Sequence, residues 1–443
     1  MKVLLLYGLD SMLYSIVIVG GGAGGLELAT RLGRTLGKRK LAKVTLVDAN
    51  LTHIWKPLLH EVATGSLNST DNELNYVAQA KWNHFEFQLG RFSGMDRQAK
   101  TIELSATVDE SGHQLVPARS LKYDDLVIAV GSLSNDFRTK GAAEHCIFLD
   151  SPQHALNFHR RLLGEYLSAH AQGDSDNTIN IAIVGAGATG VELAAELRHA
   201  SQQLSAYGLG NIKPDNMRIT IIEAGSRVLS ALSDKISSDV HKQLLKLGVD
   251  IKLSAVVEEV TAEGMRTKDG DFIPASLKVW AAGVRGPKFL TELDGLVSNR
   301  VNQLVVRTTL QTTLDDDVFA LGDCAACPLA EGSETNVPPR AQSAHQQASF
   351  LSKALALKIQ GKPLPSYMYR DYGSLVSLSQ YSAVGNIMGG FMRTVNVEGW
   401  MARMFYISLY RMHQVVLYGV FRTALIMLSD RIGRRTHPRM KLH

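Results

Sequence analysis

The sequence predicts an α/β fold built from two similar halves. An apolar strand turns directly into a glycine-rich loop and a helix at 16–25, and the same pattern returns at 181–190. Each pattern leads to a second apolar strand, at 44–48 and at 219–223. Further short apolar strands end in glycine at Gly131, Gly283 and Gly322. Buried strands alternating with helices are typical of a parallel sheet with crossover helices.

The first glycine-rich loop has the spacing of a dinucleotide-binding turn. Gly20 makes the tight turn, Gly22 lets backbone approach a pyrophosphate, and Gly25 allows close packing of the helix. The helix N-terminus then receives the negative charge of the phosphates. Asp48 closes the next strand, where a carboxylate accepts hydrogen bonds from a ribose. Because strand, glycines, helix and acid occur together, a bare glycine turn is the weaker interpretation.

The second loop repeats this spacing with Gly185, Gly187 and Gly190. Its acid is Glu223, which lies further along the chain than is usual, so we expect 207–217 to bulge as an insertion. A carboxylate at this position repels a 2'-phosphate and favours NADH over NADPH. The nearby Arg227 is the one residue that speaks for NADPH.

A third motif indicates which cofactor each loop holds. Asp323 follows Gly322 at the end of a late apolar strand, and its carboxylate suits the ribityl hydroxyls of a flavin. We therefore expect FAD at the first loop, with Gly131 beside it, and NADH at the second loop, with Gly283 beside it. Asp323 is alternatively a helix N-cap, a role compatible with flavin binding.

Charge is concentrated at one end of the chain. The protein has 443 residues, 45% of them hydrophobic, and a formal net charge of +5. Residues 399–443 contain eight Lys/Arg and one acid, or +7, so the remainder sums to 5 − 7 = −2. This argues against a nucleic-acid partner and for a local contact with an anionic surface. Three cysteines are too few for a disulfide framework and favour a reducing compartment.

At this point the residues resemble the two-dinucleotide-domain flavoproteins, and more closely the type II NADH:quinone oxidoreductases, the single-subunit, non-pumping bacterial NADH dehydrogenases. The similar segments are 53–65, Gly187–Glu192, Thr312, 322–324 and 338–345. The resemblance implies an FAD domain split around an inserted NADH domain, a C-terminal membrane-binding region and a homodimer. The expected boundaries are 1–14 for an N-terminal extension, 15–150 and 291–385 for the FAD domain, 151–290 for the NADH domain, and 386–443 for the membrane-anchoring region.

The resemblance also implies functional residues. Lys56 and Pro57 would lie against FAD, and Gln342 and His345 beside the flavin, where the quinone enters. Some relatives carry a lysine in the segment that here reads Ser379-Gln-Tyr, and a glutamine cannot supply that positive charge.

Few catalytic side chains are expected, because flavin and nicotinamide carry the reacting atoms. The segment 338–342 reads as a helix start, and its backbone amides at Ala341 and Gln342 would stabilise a reduced flavin. Glu192 either relays protons to a quinone or positions the substrates, NADH among them, or it is simply an acid at the positive end of a helix. His345 is either a hydrogen-bond partner of the quinone or a helix residue without a special role.

A Cys-x-x-Cys pair, Cys324 and Cys327, raises three possibilities. The pair would be a redox dithiol, a metal-binding or regulatory thiol, or ordinary packing. Related disulfide reductases carry their cysteine pair elsewhere in the chain, so packing is favoured and no metal site is expected.

The C-terminal region predicts a helix lying in a membrane interface. Its apolar residues share one broad helical face: Trp400, Met401, Met404, Phe405, Leu409, Met412 and Val416. Arg403 and Gln414 lie opposite, and arginines interrupt the segment before it could span a bilayer. Five basic residues follow: Arg431, Arg434, Arg435, Arg439 and Lys441. The alternative is a buried helix in a dimer interface.

Together these patterns predict a peripheral enzyme on the cytoplasmic face of the inner membrane that oxidises NADH and reduces a membrane quinone, either ubiquinone or menaquinone. A sulfide:quinone oxidoreductase is the rival enzyme, although the intact second loop with Glu223 speaks against it. A flavin-binding NADH sensor is the rival from another functional class.

Overall fold

The computed structural model describes residues 13–68, 72–109, 111–172, 178–206, 216–379, 382–388, 394–398 and 400–436. Its α-helices, in chain order, are α1 (Ala23–Leu32), α2 (Leu59–Thr64), α3 (Tyr76–Asn83), α4 (Ala142–His145), α5 (Pro152–Gln172), α6 (Ala188–Ala206), α7 (Asp234–Lys246), α8 (Ala341–Ile359), α9 (Trp400–Tyr418) and α10 (Val420–Thr436). The expected insertion at 207–217 and the segment around Gln380 lie largely outside these residues.

The chain forms two compact units. Unit 1 comprises Met1–His53, Glu73–Leu133 and Val284–Arg370, and unit 2 comprises Ile54–Asn72, Ser134–Gly283 and Asp371–His443. Each unit therefore draws on separated parts of the sequence.

Unit 1 is organised around a five-stranded parallel sheet. In sheet order its strands are Val318–Ala320, Asp125–Ile128, Tyr14–Val19, Ala42–Asp48 and Glu86–Leu89. A three-stranded antiparallel sheet contains Arg119–Lys122, Thr101–Ser105 and Arg91–Asp96. Two-stranded pairs join Thr52–His53 to Leu74–Asn75, Thr107–Val108 to Gln114–Val116, and Leu304–Val305 to Ala325–Ala326. The strand that enters the first glycine loop lies at the centre of the parallel sheet.

Unit 2 contains a second five-stranded parallel sheet. In sheet order its strands are Ile147–Phe148, Leu277–Trp280, Ile179–Val184, Met217–Ile222 and Val249–Lys252. Two antiparallel sheets accompany it: one with Val257–Val260, Gly264–Thr267 and Phe272–Pro274, the other with Gly373–Leu378, Ser382–Met388 and Thr394–Glu398. Two further short strands are Leu133–Ser134, whose first residue belongs to unit 1, and Val284–Arg285, which lies entirely in unit 1.

Both parallel sheets place the strand before the glycine loop in the middle, with the next strand on one side and a later strand on the other. This arrangement confirms the predicted α/β class with two Rossmann-like domains, since a central strand ending in a ligand loop is typical of doubly wound sheets. Continuous apolar strands follow from burial on both faces, as in Ile16–Val19 and Ile181–Val184.

Three segments that sequence analysis assigned to the FAD domain, 54–72, 134–150 and 371–385, belong to unit 2. The physical reason is packing. Leu59, Val62 and Ala63 of helix α2 belong to the same buried apolar cluster as Phe158 of α5 and Val191 of α6. Burial against these helices, rather than sequence proximity to the first loop, decides where α2 lies.

The C-terminal region forms two helices rather than one. Gly419, with φ of +82°, separates α9 from α10, because glycine adopts left-handed backbone readily. Gln414 of α9, predicted to lie on the polar side, is buried together with His413, whereas Met412 is exposed. A helical wheel identifies faces without showing which of them packs on the protein.

An ion-pair network anchors the C-terminal end of α8 in unit 1. Lys358 contacts the carboxylate of the fully buried Asp125 and also binds Asp317 at 2.6 Å. The phenol of Tyr14 donates to the other oxygen of Asp125 at 2.8 Å. Burial raises the pKa of Asp125, and Lys358 is the strongest opposing influence.

We expect Lys358→Met to destabilise unit 1 strongly, because it leaves Asp125 buried without its cation. Breaking a buried pair costs roughly 3 to 5 kcal/mol. For a unit of this size that corresponds to a melting temperature lower by roughly 6 to 20 °C. Thermal release of bound flavin, followed by fluorescence, measures this shift.

The control is Lys100→Met, because Lys100 binds the same Asp317 at 2.6 Å but its side chain is 44% exposed, against 19% for Lys358. Exposed pairs contribute about 0 to 1 kcal/mol. Equal shifts in both variants would contradict a special role for the buried pair.

Candidate active site and its cofactor loops

Steric limits require glycine at two positions of the glycine loop of unit 1. Gly20 has φ of +100°, and a Cβ there would overlap the backbone of Ala129. A Cβ on Gly25 would overlap the carbonyl oxygen of Gly20. Gly22, by contrast, faces open space, with nothing within 4 Å of an added Cβ. The loop therefore keeps a clear approach to the N-terminus of α1, as a bound pyrophosphate requires.

The loop of unit 2 repeats this construction position by position. Gly185 has φ of +104°, and a Cβ there would strike the backbone of Ala281. A Cβ on Gly190 would overlap the carbonyl oxygen of Gly185, and Gly187 again faces open space. Both loops thus fit a dinucleotide phosphate for the same geometric reasons.

Each loop is tied to the acid at the end of the neighbouring strand. The Asp48 carboxylate accepts a hydrogen bond from the Gly21 amide at 2.7 Å, and the Glu223 carboxylate accepts one from the Ala186 amide at 2.6 Å. Glu223 also accepts from the Gly225 amide at 2.8 Å. These contacts hold a carboxylate beside each loop, where ribose hydroxyls of a dinucleotide bind.

The contacts of Arg227, the residue that favoured NADPH, are with its own segment of the chain. Its guanidinium donates to the carbonyl oxygens of Leu232 at 3.0 Å and Ser230 at 2.8 Å, and it pairs with Asp234 at 2.6 Å. These contacts engage the guanidinium donors with residues of the following segment, 230–234.

Asp323 lies in the short 3-10 helix Gly322–Cys324, whose N-cap is Leu321, so the N-cap interpretation of Asp323 was wrong. Its carboxylate instead accepts a hydrogen bond from the Ser132 hydroxyl at 2.8 Å. Ser132 directly follows Gly131, which has φ of +71° and open space beside it. Asp323 and Gly131 thus come together in unit 1, as flavin binding would require.

Helix α8 begins at Ala341, as sequence analysis predicted, and has no acidic residue in its first turn. Its N-cap, Arg340, gives the helix no side-chain capping bond. The amide side chain of Gln342 donates to the Tyr369 hydroxyl at 2.8 Å. The positive end of this helix is therefore suited to an anionic partner.

His345, one turn into α8, contacts a residue that sequence analysis did not single out. Its Nδ1 meets the carboxylate of Glu27, which is almost fully buried in α1. Arg31 binds the other oxygen of that carboxylate at 2.7 Å. Burial lowers the pKa of His345. The signal that was available is the repeat itself, because Glu27 and Glu192 both stand two residues after the third glycine of their loops.

Glu192 occupies a buried position at the start of α6. One carboxylate oxygen accepts a hydrogen bond from the Ser377 amide at 3.0 Å, and the other lies 3.8 Å from Nδ1 of His60. Burial raises the pKa of Glu192 to about 8, and Glu61 and Glu196 add to the rise. Burial also lowers the pKa of His60 to about 4. At neutral pH the carboxyl therefore holds a proton beside a neutral imidazole.

Sequence analysis missed His60 because its contact with Glu192 depends on packing of α2 against α6, which sequence alone does not reveal.

Lys56 and Pro57 lie in the 3-10 helix just before α2, in unit 2. Lys56 pairs with Asp150 at 3.4 Å. Gly283, with φ of +65°, lies beyond the strand Leu277–Trp280, so this strand does not run up to the glycine as sequence analysis expected. The residues assigned to FAD therefore do not all fall in one unit.

Cys324 and Cys327 are buried free thiols. Burial raises the pKa of each to about 12, so neither forms a thiolate readily. The Cys324 thiol donates to the carbonyl oxygens of Leu321 and Ile128. These features favour packing over a redox dithiol.

Comparison with known proteins identifies the family. A family model described as pyridine nucleotide-disulphide oxidoreductase matches residues 14–348. A type II NADH:quinone oxidoreductase of Haemophilus influenzae is 47% identical over 97% of this chain and 100% of its own length. The chain therefore belongs to the type II NADH:quinone oxidoreductases. A Staphylococcus aureus enzyme of the same name is 28% identical over 84% of this chain and 90% of its own.

Comparison with solved structures supports the fold of this chain. NDH2 from Plasmodium falciparum, in complex with NADH, matches with a TM-score of 0.80 and 19% identity, covering 97% of this chain and 100% of that one. The sulfide:quinone oxidoreductase of Aquifex aeolicus matches with a TM-score of 0.72 and 19% identity, covering 92% of each chain. At these identities the likeness concerns the fold alone.

Proposed function

We propose that this chain is an FAD-dependent, non-electrogenic NADH:quinone oxidoreductase. The observation that carries the proposal is the presence of two glycine loops of the same geometry, each with its own acid, in a chain nearly half identical to an enzyme of that name. Two loops support two dinucleotides, as transfer from NADH to a flavin requires.

FAD, when bound, would supply the redox chemistry that takes a hydride from NADH and passes two electrons on to a quinone. We assign its ADP half to the loop around Gly22, with Asp48 at the ribose and Asp323 at the ribityl hydroxyls. NADH is assigned to the loop around Gly187, with Glu223 at the ribose. These residues bind and orient, because the chemistry belongs to the cofactors.

Quinone reduction consumes two protons, and we assign Glu192 to deliver one of them. Its carboxyl is protonated near neutral pH because burial raises the pKa to about 8. A donor with a pKa near the working pH combines a bound proton with the ability to release it. Ser377 orients one oxygen of this carboxyl through its amide.

Gln342 and His345 are assigned to hydrogen-bond the quinone. They lie one helical turn apart at the start of α8, where i and i+3 side chains share a face. Tyr369 and Glu27 fix the two side chains from behind. Preorganised donors of this kind stabilise the charge that develops on a reduced quinone oxygen.

We further propose that α10 attaches the enzyme to an anionic membrane surface on the cytoplasmic side. Four of its apolar side chains are more than half exposed: Val420, Phe421, Leu425 and Leu428. The exposed Arg422 accompanies them, and further arginines follow along the chain. Among the described residues, no helix combines the length and apolar character needed to cross a bilayer. The exposed apolar side chains and the accompanying arginines support attachment of α10 to a membrane surface.

Replacing Phe421 and Leu425 together with aspartate is expected to weaken binding to vesicles of anionic phospholipid by at least about tenfold, since each apolar side chain contributes roughly 1.5 to 3 kcal/mol when buried. Co-sedimentation with vesicles measures it. Leu167→Asp in α5, equally exposed and apolar, should leave binding unchanged. Unaltered binding in the double variant would move the anchor elsewhere.

The homodimer rests on the family resemblance alone, and sedimentation velocity in detergent tests it. The choice between ubiquinone and menaquinone is open to direct comparison of the two acceptors in steady-state assays.

Rapid mixing tests the proposed reaction as a whole. NADH should bleach the flavin absorbance within the mixing experiment, and a short-chain quinone should restore it. NADPH should bleach it more slowly, because Glu223 repels a 2'-phosphate. Bleaching by sulfide but not by NADH would establish the rival oxidoreductase, and bleaching without recovery on quinone would favour a sensor.

A further inference from the structure

We propose that Glu27 is a positioning residue that holds the imidazole of His345 with its Nδ1 proton directed into α1, so that Nε2 is the ring atom that meets the quinone. This inference rests on the proposed function of His345 as a quinone contact and adds a residue that acts through it.

The internal repeat first directs attention to Glu27. In each half, a glutamate stands two residues after the third glycine of the loop, as Glu27 and as Glu192. Both are buried, and each has Nδ1 of a histidine beside its carboxylate, His345 in unit 1 and His60 in unit 2. The same position of the duplicated motif thus carries a buried acid next to an imidazole in both halves.

Burial of Glu27 is costly unless its charge is used. A carboxylate removed from water loses its hydration, and the i,i+4 ion pair with Arg31, whose side chain is about a third exposed, offsets only part of that loss. A leucine at this position would pack into the same site without that loss. The second carboxylate oxygen of Glu27 contacts Nδ1 of His345. The charge of Glu27 therefore acts on this imidazole as well as on Arg31.

Close packing of α1 on α8 brings the two residues together. A Cβ added at Gly24 would strike side chains of Leu321 and Ala344, so α1 and α8 approach through small residues. Glu27 follows Gly24 by one helical turn, and His345 directly follows Ala344. The helix whose first turn would bind the FAD pyrophosphate therefore also carries the partner of the quinone-site histidine.

A carboxylate on one ring nitrogen determines what the other nitrogen does. An acid accepts the Nδ1 proton, which fixes the ring orientation and, in the neutral ring, places the lone pair on Nε2. When the ring is protonated, Nε2 becomes the donor. Glu27 thereby assigns Nε2 of His345 as the atom that exchanges a hydrogen bond with a quinone oxygen in either state.

A double-mutant cycle on the full-length holoenzyme tests this role, with Glu27→Gln, His345→Gln and the combined variant. Glutamine keeps the size of the glutamate, so the fold should persist. The quinone KM and kcat are measured, together with the rate at which NADH bleaches the flavin. Selective 15N labelling of histidine reports the tautomer of His345, whose signals are those lost in His345→Gln.

We expect Glu27→Gln to slow quinone-driven flavin recovery or raise the quinone KM by about tenfold, with bleaching by NADH unchanged. In the His345→Gln background the same substitution should change these values less than twofold. The 15N shifts of His345 should move toward a mixture of tautomers. The control is Gln346→Ala, in the residue that follows His345 in α8. It removes the two hydrogen bonds between the Gln346 side chain and the Arg370 backbone and should leave the quinone kinetics unchanged.

Equal effects of Glu27→Gln in both backgrounds would overturn the proposal, because the acid would then act through packing alone. Normal quinone kinetics in His345→Gln would overturn it as well, while bleaching by NADH and recovery on quinone in the wild type would still uphold the overall reaction. Failure of quinone to restore the wild-type flavin would instead remove the proposed function itself.

Discussion

Gly25→Ala is expected to yield protein without flavin, and Gly190→Ala is expected to yield flavin-containing protein that NADH no longer bleaches. In each case the new Cβ overlaps the carbonyl oxygen of the first loop glycine, so the helix start must move away from the phosphates. Overpacking of this kind costs roughly 1 to 3 kcal/mol, which corresponds to a loss of affinity of up to about 100-fold. The flavin-to-protein absorbance ratio and rapid mixing with NADH measure the two defects.

The control is Gly164→Ala, a glycine in the interior of α5 with nothing within 4 Å of an added Cβ. Alanine favours a helix over glycine by about 1 kcal/mol, so this variant should match or exceed the wild type in stability. Flavin loss in both loop variants, rather than in Gly25→Ala alone, would contradict the assignment of one dinucleotide to each loop.

Glu192→Gln is expected to lower the rate of quinone reduction by roughly 10²- to 10⁴-fold, the usual contribution of a positioned proton donor. In the wild type the rate should fall as the pH rises through about 8, because the carboxyl then loses its proton. The glutamine variant should lose this alkaline limb. Steady-state rates between about pH 6 and 9.5 measure both effects.

The same pKa also makes a prediction for stability. Burial raises the pKa of Glu192 in the folded protein above its value in the unfolded chain. The stability that the protonated carboxyl contributes is therefore fully present at pH values below the unfolded-state pKa, and it is lost as the pH rises through about 8. Glu192→Gln should therefore flatten the decline in stability toward alkaline pH. Chemical unfolding at several pH values tests this.

Glu196→Gln, one turn further along α6, is the matched control. Glu196 is also buried and raises the pKa of Glu192 through its charge. Its replacement should keep the neutral rate within about tenfold and move the alkaline limb to lower pH. An unchanged alkaline limb in Glu192→Gln would show that another group controls the pH dependence.

The sequence was sufficient for the loops, because their chemistry is local. Strand, glycine spacing and the following acid all lie within one βαβ segment, and the backbone constraints on Gly20 and Gly185 follow from the turn itself. The start of α8 at Ala341 was likewise predictable, since two prolines precede it.

The buried acid–histidine pairs were not predictable in the same way. Glu27 meets His345, and Glu192 meets His60, only through packing of helices that are distant in sequence. The fate of Gln414 was missed for a related reason, because periodicity does not reveal which face of α9 packs inward. Long-range packing also placed α2 in unit 2.

The two loops use acids of different length to hold the same amide. Asp48 is the last residue of its strand, whereas Glu223 stands one residue beyond the strand end at Ile222, and the longer side chain makes up the difference. Each loop, strand and acid belongs to a single unit. Replacing one of the two acids would therefore release the amide of its own glycine loop and leave the loop of the other unit held as before.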